Sequence, residues 1–295
     1  MRLVTFSTAG EDRLGALRDD EVIDLTAGGD PDMTSMLALL NADGAAWERA
    51  REILDGAAQG YALADIVLRS PVPRPGKYLA LGLNYREHAL EAERKGVRIP
   101  KHQVWFNKQT TCVNGPYADV HLPKVSDKMD YEAELAVVIG RRCRHVPANS
   151  ASQVIAGYTI ANDLSVRDWQ MRAQTWTLGK SFDTHGPLGP ALVTPDEIAD
   201  PHNLNVRCLV NGDERQSANT ADMIYSIGDM IAHLSAAMTL EPGDVLATGT
   251  PSGIGSAMEP PQYLRAGDVV RVEIERLGHI EHRVTNEPAV GTGIE

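Results

Sequence analysis

Two glutamates, Glu132 and Glu134, sit in the stretch Asp130 to Gly140, DYEAELAVVIG. Leu135, Val137 and Ile139 alternate there with Glu132, Glu134, Ala136 and Val138, the pattern of a β-strand. On a strand the two carboxylates share one face, about 7 Å apart along it. The segment is apolar enough to be interior. Two like charges on a buried face are costly and raise each other's pKa. A divalent cation removes that conflict, because hard cations take carboxylate oxygens. A half-exposed strand with two solvated glutamates also accounts for the spacing, so the decision falls to other residues.

Asp163 follows an apolar strand, Gly157 to Ala161, and reads by itself as a cap or turn residue. With Glu132 and Glu134 it makes a three-carboxylate set. All-oxygen ligation selects Mg²⁺ or Mn²⁺, suits Ca²⁺ less and disfavours Zn²⁺. Three carboxylates leave positions for water and a chelating substrate. His88 and Glu91 lie three apart on a predicted helix, so the carboxylate can orient the imidazole as a general base. The competing reading is a solvated pair among Arg86, Glu87, Glu93, Arg94 and Lys95. Lys180, after Gly179, can supply a cation to an anionic substrate or a developing enolate, and Lys108 can do the same. Lysines are more often solvated. Gly249 to Gly255 lacks the Gly-Lys-Ser/Thr ending of a phosphate loop but can present the Thr250 hydroxyl and backbone N–H groups to a carboxylate.

These residues need a scaffold. Residues 2 to 26 read as three short strands, and 32 to 41 and 45 to 55 have helical spacing. Ser70-Pro71-Val72-Pro73-Arg74-Pro75-Gly76 reads as a stiff connector, which places a domain boundary there: a small α+β unit over 1–70 and a catalytic unit over 71–295. Strands are predicted at Lys77–Leu81, Val104–Lys108, Ala191–Thr194, Asn205–Val210, 243–249 and 267–273. Helices are predicted at Arg86–Lys95, Ser165–Arg172 (with Ser165 and Asp168 at capping-box spacing) and Ser226–Leu240. Asn211-Gly212 signals a hairpin, and Thr285–Glu295 reads as a frayed tail. Many strands without a βαβ rhythm argue for an α+β fold with a β-rich core.

The chain has 295 residues and a net charge of −12, with no basic stripe, which argues against nucleic acid as a partner. An anionic substrate would need local cations. Cys112, Cys143 and Cys208 are scattered and form no C-x-x-C, which fits a reducing compartment. No signal-peptide core or membrane-length apolar run appears, so a cytoplasmic protein without membrane contact is expected.

Six motifs occur in order: G-x-N-Y-x-x-H-x-x-E (82–91), F-x-K (106–108), D-Y-E-x-E-L-x-V-V-I-G (130–140), N-D-x-S-x-R-D-x-Q (162–170), G-K-S-F-D-T followed by Pro187 and Gly189-Pro190 (179–190), and T-G-T-P-x-G (248–253). Together they resemble the fumarylacetoacetate hydrolase superfamily over roughly residues 71 to 284. The resemblance implies a mixed β-sandwich roll, a homodimer, and Mg²⁺ or Mn²⁺ held by Glu132, Glu134 and Asp163. It further implies a water-activating His88–Glu91 dyad on a segment that can close as a lid, a substrate-contacting Lys180, and pocket positions at Lys108, Gln170 and Thr250. The short N-terminal unit points to the broad branch of acylpyruvases, diketo-acid hydrolases, hydroxydienedioate isomerases, oxaloacetate decarboxylases and ureidoglycolate lyases. The expected activity is hydrolysis of a C–C bond in a 2,4-dioxo acid through a metal-stabilised pyruvate enolate. The alternatives are decarboxylation, isomerisation or lyase chemistry at the same site, or a non-catalytic binding protein on a retained fold. Arg167, Arg172 and Trp176 are candidates for reading the substrate tail.

Overall fold

The computed structural model describes residues 1–289; residues 290–295, part of the predicted tail and of the 71–295 unit, lie outside it. The strand carrying Glu134, Ala133–Ile139, is buried at every position and lies deep inside a twelve-stranded sheet. Its two faces feed two apolar cores. Leu135, Val137 and Ile139 join one core, in which a second, five-stranded sheet packs through Val206, Val270 and Ile280. Ala136 and Val138 face the other, with Leu39, Leu40 and Ala50 from the N-terminal helices. Alternation in the sequence thus marks two buried faces, the state of a central strand.

Ten strands of the main sheet run edge to edge through Tyr61–Ala62, Glu21–Asp24, Glu11–Arg18, Arg2–Thr8, Gly186–Val193, Ile155–Asn162, Ala133–Ile139, Val245–Ala247, Tyr78–Gly82 and Val104–Lys108, and Val67–Leu68 and Val113–Asn114 pair off this path with Arg2–Thr8 and Gly186–Val193. The three N-terminal strands form as expected, but they extend the main sheet. Leu3 pairs with Leu192 and Arg2 with Val193. The connector at residues 70–76 therefore links two parts of one continuous sheet. The α+β, strand-rich class expected from the sequence is the class observed.

Local signals explain most element ends. Ser35 Oγ accepts the Ala38 N–H, and Asp43 Oδ1 accepts those of Ala45 and Ala46, capping helices Met36–Asn41 and Gly44–Gly56. The first of these starts later than the spacing predicts, because Ser35 is extended and acts as its cap. Ser226 and Asp229 form a capping box on Ile227–Ala237. Asn211 and Gly212 both take positive φ in the tight turn between Asn205–Val210 and Asp213–Asn219.

Two expectations fail. Ser165–Arg172 is not one helix: Ser165–Val166 pairs with Met129–Asp130, and only Arg167–Gln170 makes a helical turn. Ser165 Oγ donates to the Asp163 carbonyl, and Asp168 accepts from Ser126 Oγ, so no capping box forms. Thr285 and Asn286 are not frayed; they pair with His121 and Leu122 in the final strand. In both places partners distant in sequence outbid the local signal. Among the described residues no helix is long and apolar enough to cross a membrane.

Candidate metal centre

Antiparallel pairing sets the three carboxylates together. Ala133 faces Asn162 and Glu134 faces Ala161, so Asp163 emerges beside Glu132. The Asp163 N–H donates to the Glu132 carbonyl at 2.9 Å, and the Glu132 N–H to Asn162 Oδ1 at 3.1 Å. One oxygen from each of Glu132, Glu134 and Asp163 lies within 4.8 Å of the others, and all three residues are buried.

Cations balance this crowding incompletely. Lys180 Nζ donates at 2.7 Å to both Glu132 Oε2 and Asp163 Oδ2. Lys108 Nζ donates to Asp163 Oδ1 at 2.6 Å and also to the carbonyls of Leu164 and Lys180. Arg167 Nη1 lies 2.7 Å from Glu132 Oε1. Burial opposes the charge on Glu132, but Lys180 and Arg167 outweigh it and hold its pKa down at about 2. Among the described residues Glu134 receives only the Gly249 N–H, at 2.8 Å. Burial, then the charges of Asp163 and Glu132, push it well above the usual carboxylate range. A cluster of hard oxygen donors with an unrelieved excess of negative charge fits a divalent cation such as Mg²⁺ or Mn²⁺. Lys180 keeps its proton above the ordinary lysine range: burial works against the charge, and Asp163 and Glu132 overcome it.

His88 and Glu91 share the helix Arg86–Arg94. His88 Nδ1 and Glu91 Oε2 are 2.9 Å apart, and Glu91 Oε1 accepts the Gly253 N–H at 3.1 Å. Gly253 has φ +99°, and a Cβ there would lie 2.0 Å from the Arg215 carbonyl. The glycine loop after Val245–Ala247 therefore touches the cluster through Gly249 and the dyad through Gly253.

A cavity of about 420 Å³ is lined by His88, Glu132, Glu134, Gln170, Lys180 and Thr250. Gly179 lets Lys180 and Gln170 approach, since a Cβ there would fall 2.2 Å from the Gln170 backbone nitrogen. Thr250 Oγ1 accepts from Gln216 Nε2. Lys108 does not line this cavity; it lies behind Asp163, so its place differs from the substrate contact expected of it. Arg167 does line it, whereas Arg172 stacks on Trp169 at 3.9 Å.

Sequence reasoning gave no role to Asp130 or Gln216. Asp130 accepts from Arg167 Nε and from the N–H groups of Tyr131, Gly255 and Ser256. Gln216 bridges the Ala133 N–H and Thr250. Asp130 and Arg167 both stand in the motifs, but they bond each other across 37 residues, and Gly255 and Ser256 reach Asp130 from still further along the chain.

Buried carboxylates and an oriented histidine lining one small cavity are the architecture of an enzyme acting on a small molecule. The chain belongs to the fumarylacetoacetate hydrolase family: residues 77–285 match the fumarylacetoacetate (FAA) hydrolase C-terminal domain. A relative in Xenopus laevis, oxaloacetate tautomerase fahd2, mitochondrial, is 43% identical over 291 residues, covering 96% of this chain and 90% of that one. The crystal structure of maleylpyruvate hydrolase from Sphingobium sp. SYK-6, in complex with manganese(II) and pyruvate, is 34% identical with a TM-score of 0.81, covering 98% of this chain and 100% of that one. That of 5-carboxymethyl-2-hydroxymuconate delta-isomerase from Mycobacterium smegmatis is 32% identical with a TM-score of 0.77, covering 97% and 100%.

Proposed function

We propose that this chain is a metal-dependent enzyme that enolises a small 2-oxo acid, interconverting the keto and enol forms of oxaloacetate or a close analogue. The observation that carries the reading is the position of His88: buried, bonded to Glu91, and on the wall of the same cavity as Glu132, Glu134 and Lys180. Glu132, Glu134 and Asp163 would hold Mg²⁺ or Mn²⁺, which when bound supplies a Lewis acid for the 2-oxo group. With Nδ1–H donated to Glu91, the His88 lone pair stands on Nε2, which takes a proton from carbon 3 of the keto form and delivers it to the 2-oxo oxygen to give the enol, the reverse transfer giving the keto form. The Lys180 ammonium offsets negative charge growing on the 2-oxo oxygen. Arg167 and Gln170, joined at 2.9 Å, orient the substrate carboxylate, and Thr250 adds a hydroxyl. Support comes from the named activity of the frog relative, alignable over nearly the whole chain.

A second reading is hydrolysis of a C–C bond in a 2,4-dioxo acid. The same His88–Glu91 pair favours it, since Nε2 can equally take a proton from water. The named activity of the manganese- and pyruvate-bound neighbour points the same way, and that of the isomerase neighbour shows a third use of the fold. Decarboxylase and lyase readings call on the same residues.

The test follows enol-oxaloacetate by ultraviolet absorbance with metal-stripped protein and after Mg²⁺ or Mn²⁺ is restored, with acetylpyruvate in parallel. Metal-dependent loss of the enol supports tautomerisation. Pyruvate release from acetylpyruvate without faster enol loss moves the assignment to hydrolysis. Silence on both overturns the two readings.

A further inference from the structure

Glu91 spends one carboxylate oxygen on His88 and has the other held by the glycine loop. Oε2 lies 2.9 Å from His88 Nδ1, and Oε1 accepts the Gly253 N–H at 3.1 Å. Among the described residues no other group bonds Oε1. The aim of the carboxylate, and through it the orientation of the His88 ring, therefore depends on how Gly253 is fixed.

Gly253 is gripped from its other sides. Its carbonyl accepts from the Tyr131 hydroxyl at 3.1 Å, and its Cα packs under the Arg215 carbonyl. With φ +99° and no side chain, the glycine leaves the peptides on either side free to turn unless they are tied. Glu91 ties the peptide before it and Tyr131 the peptide after it. The rest of the loop has its own anchors. The Pro251 carbonyl accepts from Gln216 Nε2 at 2.8 Å, and the N–H groups of Gly255 and Ser256 donate to Asp130. Loss of the Tyr131 hydroxyl thus frees Gly253 while its neighbours stay in place.

Tyr131 suits this task. It is 2% exposed, and its ring belongs to the apolar core that includes Met129 and Leu264. A ring packed in a core holds its hydroxyl at a fixed point. Among the described residues that hydroxyl bonds only Gly253. Tyr131 also directly precedes Glu132, so one run of backbone carries both a candidate metal ligand and the support of the dyad. Spacing in the sequence gave it no role, because its partner stands 122 residues away.

We infer that Tyr131 is a positioning residue for the His88–Glu91 dyad. It does not line the cavity and acts through Gly253, whose N–H aims the Glu91 carboxylate at the imidazole. The inference rests on the reading of His88 as the group that carries the proton.

The experiment combines a double-mutant cycle with a direct view of the imidazole, the folding of each variant being checked by circular dichroism. Tyr131→Phe keeps the ring and lowers kcat on the enol substrate about threefold to tenfold, the worth of one neutral hydrogen bond, with KM unchanged. In a Glu91→Ala background the same substitution costs nothing further, because the group it acts through is gone. By NMR of histidine-labelled protein, the His88 Nδ1–H signal, assigned by its loss in His88→Asn, exchanges with water faster in Tyr131→Phe than in the native chain. An unchanged kcat, a change confined to KM, an equal loss in the Glu91→Ala background, or an unaltered Nδ1–H signal overturns the inference. If the native chain does not turn over the enol while the His88 signal still responds to Tyr131→Phe, tautomerisation falls and the positioning of the dyad stands.

Discussion

Lys108 and Asp163 form an ion pair with no solvent access, Nζ lying 2.6 Å from Oδ1, with Lys108 on the last residue of an edge strand and Asp163 at the end of an interior one. Neither residue lines the cavity, and Lys108 meets the carboxylate cluster through Asp163.

Removing Lys108 leaves Asp163, buried, with one of its two cations, Lys180. Lys108→Met is expected to destabilise the metal-free protein by about 3–5 kcal/mol. Urea denaturation measures the loss. Saturating Mn²⁺ recovers part of it, because the cation replaces some of the lost countercharge. A change below about 1 kcal/mol would show that the pair does not hold the cluster.

Among the described residues Glu134 has no side-chain cation bonded to it, and burial with its acidic neighbours raises its pKa. Glu134→Gln removes the repulsion, so without metal the variant melts at or above the temperature of the native chain. It also removes a ligand. Native protein at a hundred times the metal dissociation constant gains about 2.7 kcal/mol, and the variant loses most of that gain. Thermal melts with and without Mg²⁺ give both results; an undiminished metal shift in Glu134→Gln counts against the site.

His88→Asn and Glu91→Gln should each lower kcat by about 10²–10⁴-fold, the usual worth of a positioned acid–base group. Both side chains are near the cavity and outside the apolar cores, so melting temperatures change little. Steady-state kinetics on the enol substrate decide the matter. A variant that loses activity only in proportion to its folded fraction would remove the catalytic role.

His185 and His282 are buried far from one another in sequence, each with one ring nitrogen bonded to a carbonyl and the other without a partner. Burial depresses both to about 4. The unfolded chain therefore binds two more protons than the folded one between about pH 4 and the ordinary histidine value near 6.5. Stability is complete above pH 6.5 and falls as pH drops, by about 1.4 kcal/mol per pH unit for each histidine. Urea titrations from pH 7 to 4.5 read the slope, and His282→Gln should reduce it by one proton. An unchanged slope would mean that His282 does not titrate in this window.

Periodicity carried the sequence a long way. The two-residue period placed Glu132 and Glu134 on one face, and the three-residue spacing of His88 and Glu91 matched their contact at 2.9 Å. Asn211-Gly212 specified its own turn, because two positive φ angles suit few other residues. The order of the six motifs pointed to the family that residues 77–285 match.

Register and burial belong to the tertiary structure. Asp163 meets Glu132 only because Ala133 pairs with Asn162. Lys108 turns from a cavity residue into a countercharge because Val104–Lys108 lies at the sheet edge behind Asp163. Asp130 and Arg167 bond across 37 residues, and the N-terminal strands continue the main sheet across a proline-rich connector. Backbone spacing within a strand or helix is fixed by local geometry and can be counted along the chain. Which strand lies beside which is fixed by hydrogen bonds and apolar burial between segments separated in the chain, here by 29 residues for Ala133 and Asn162 and by 191 for Arg2 and Val193, and no local spacing records it.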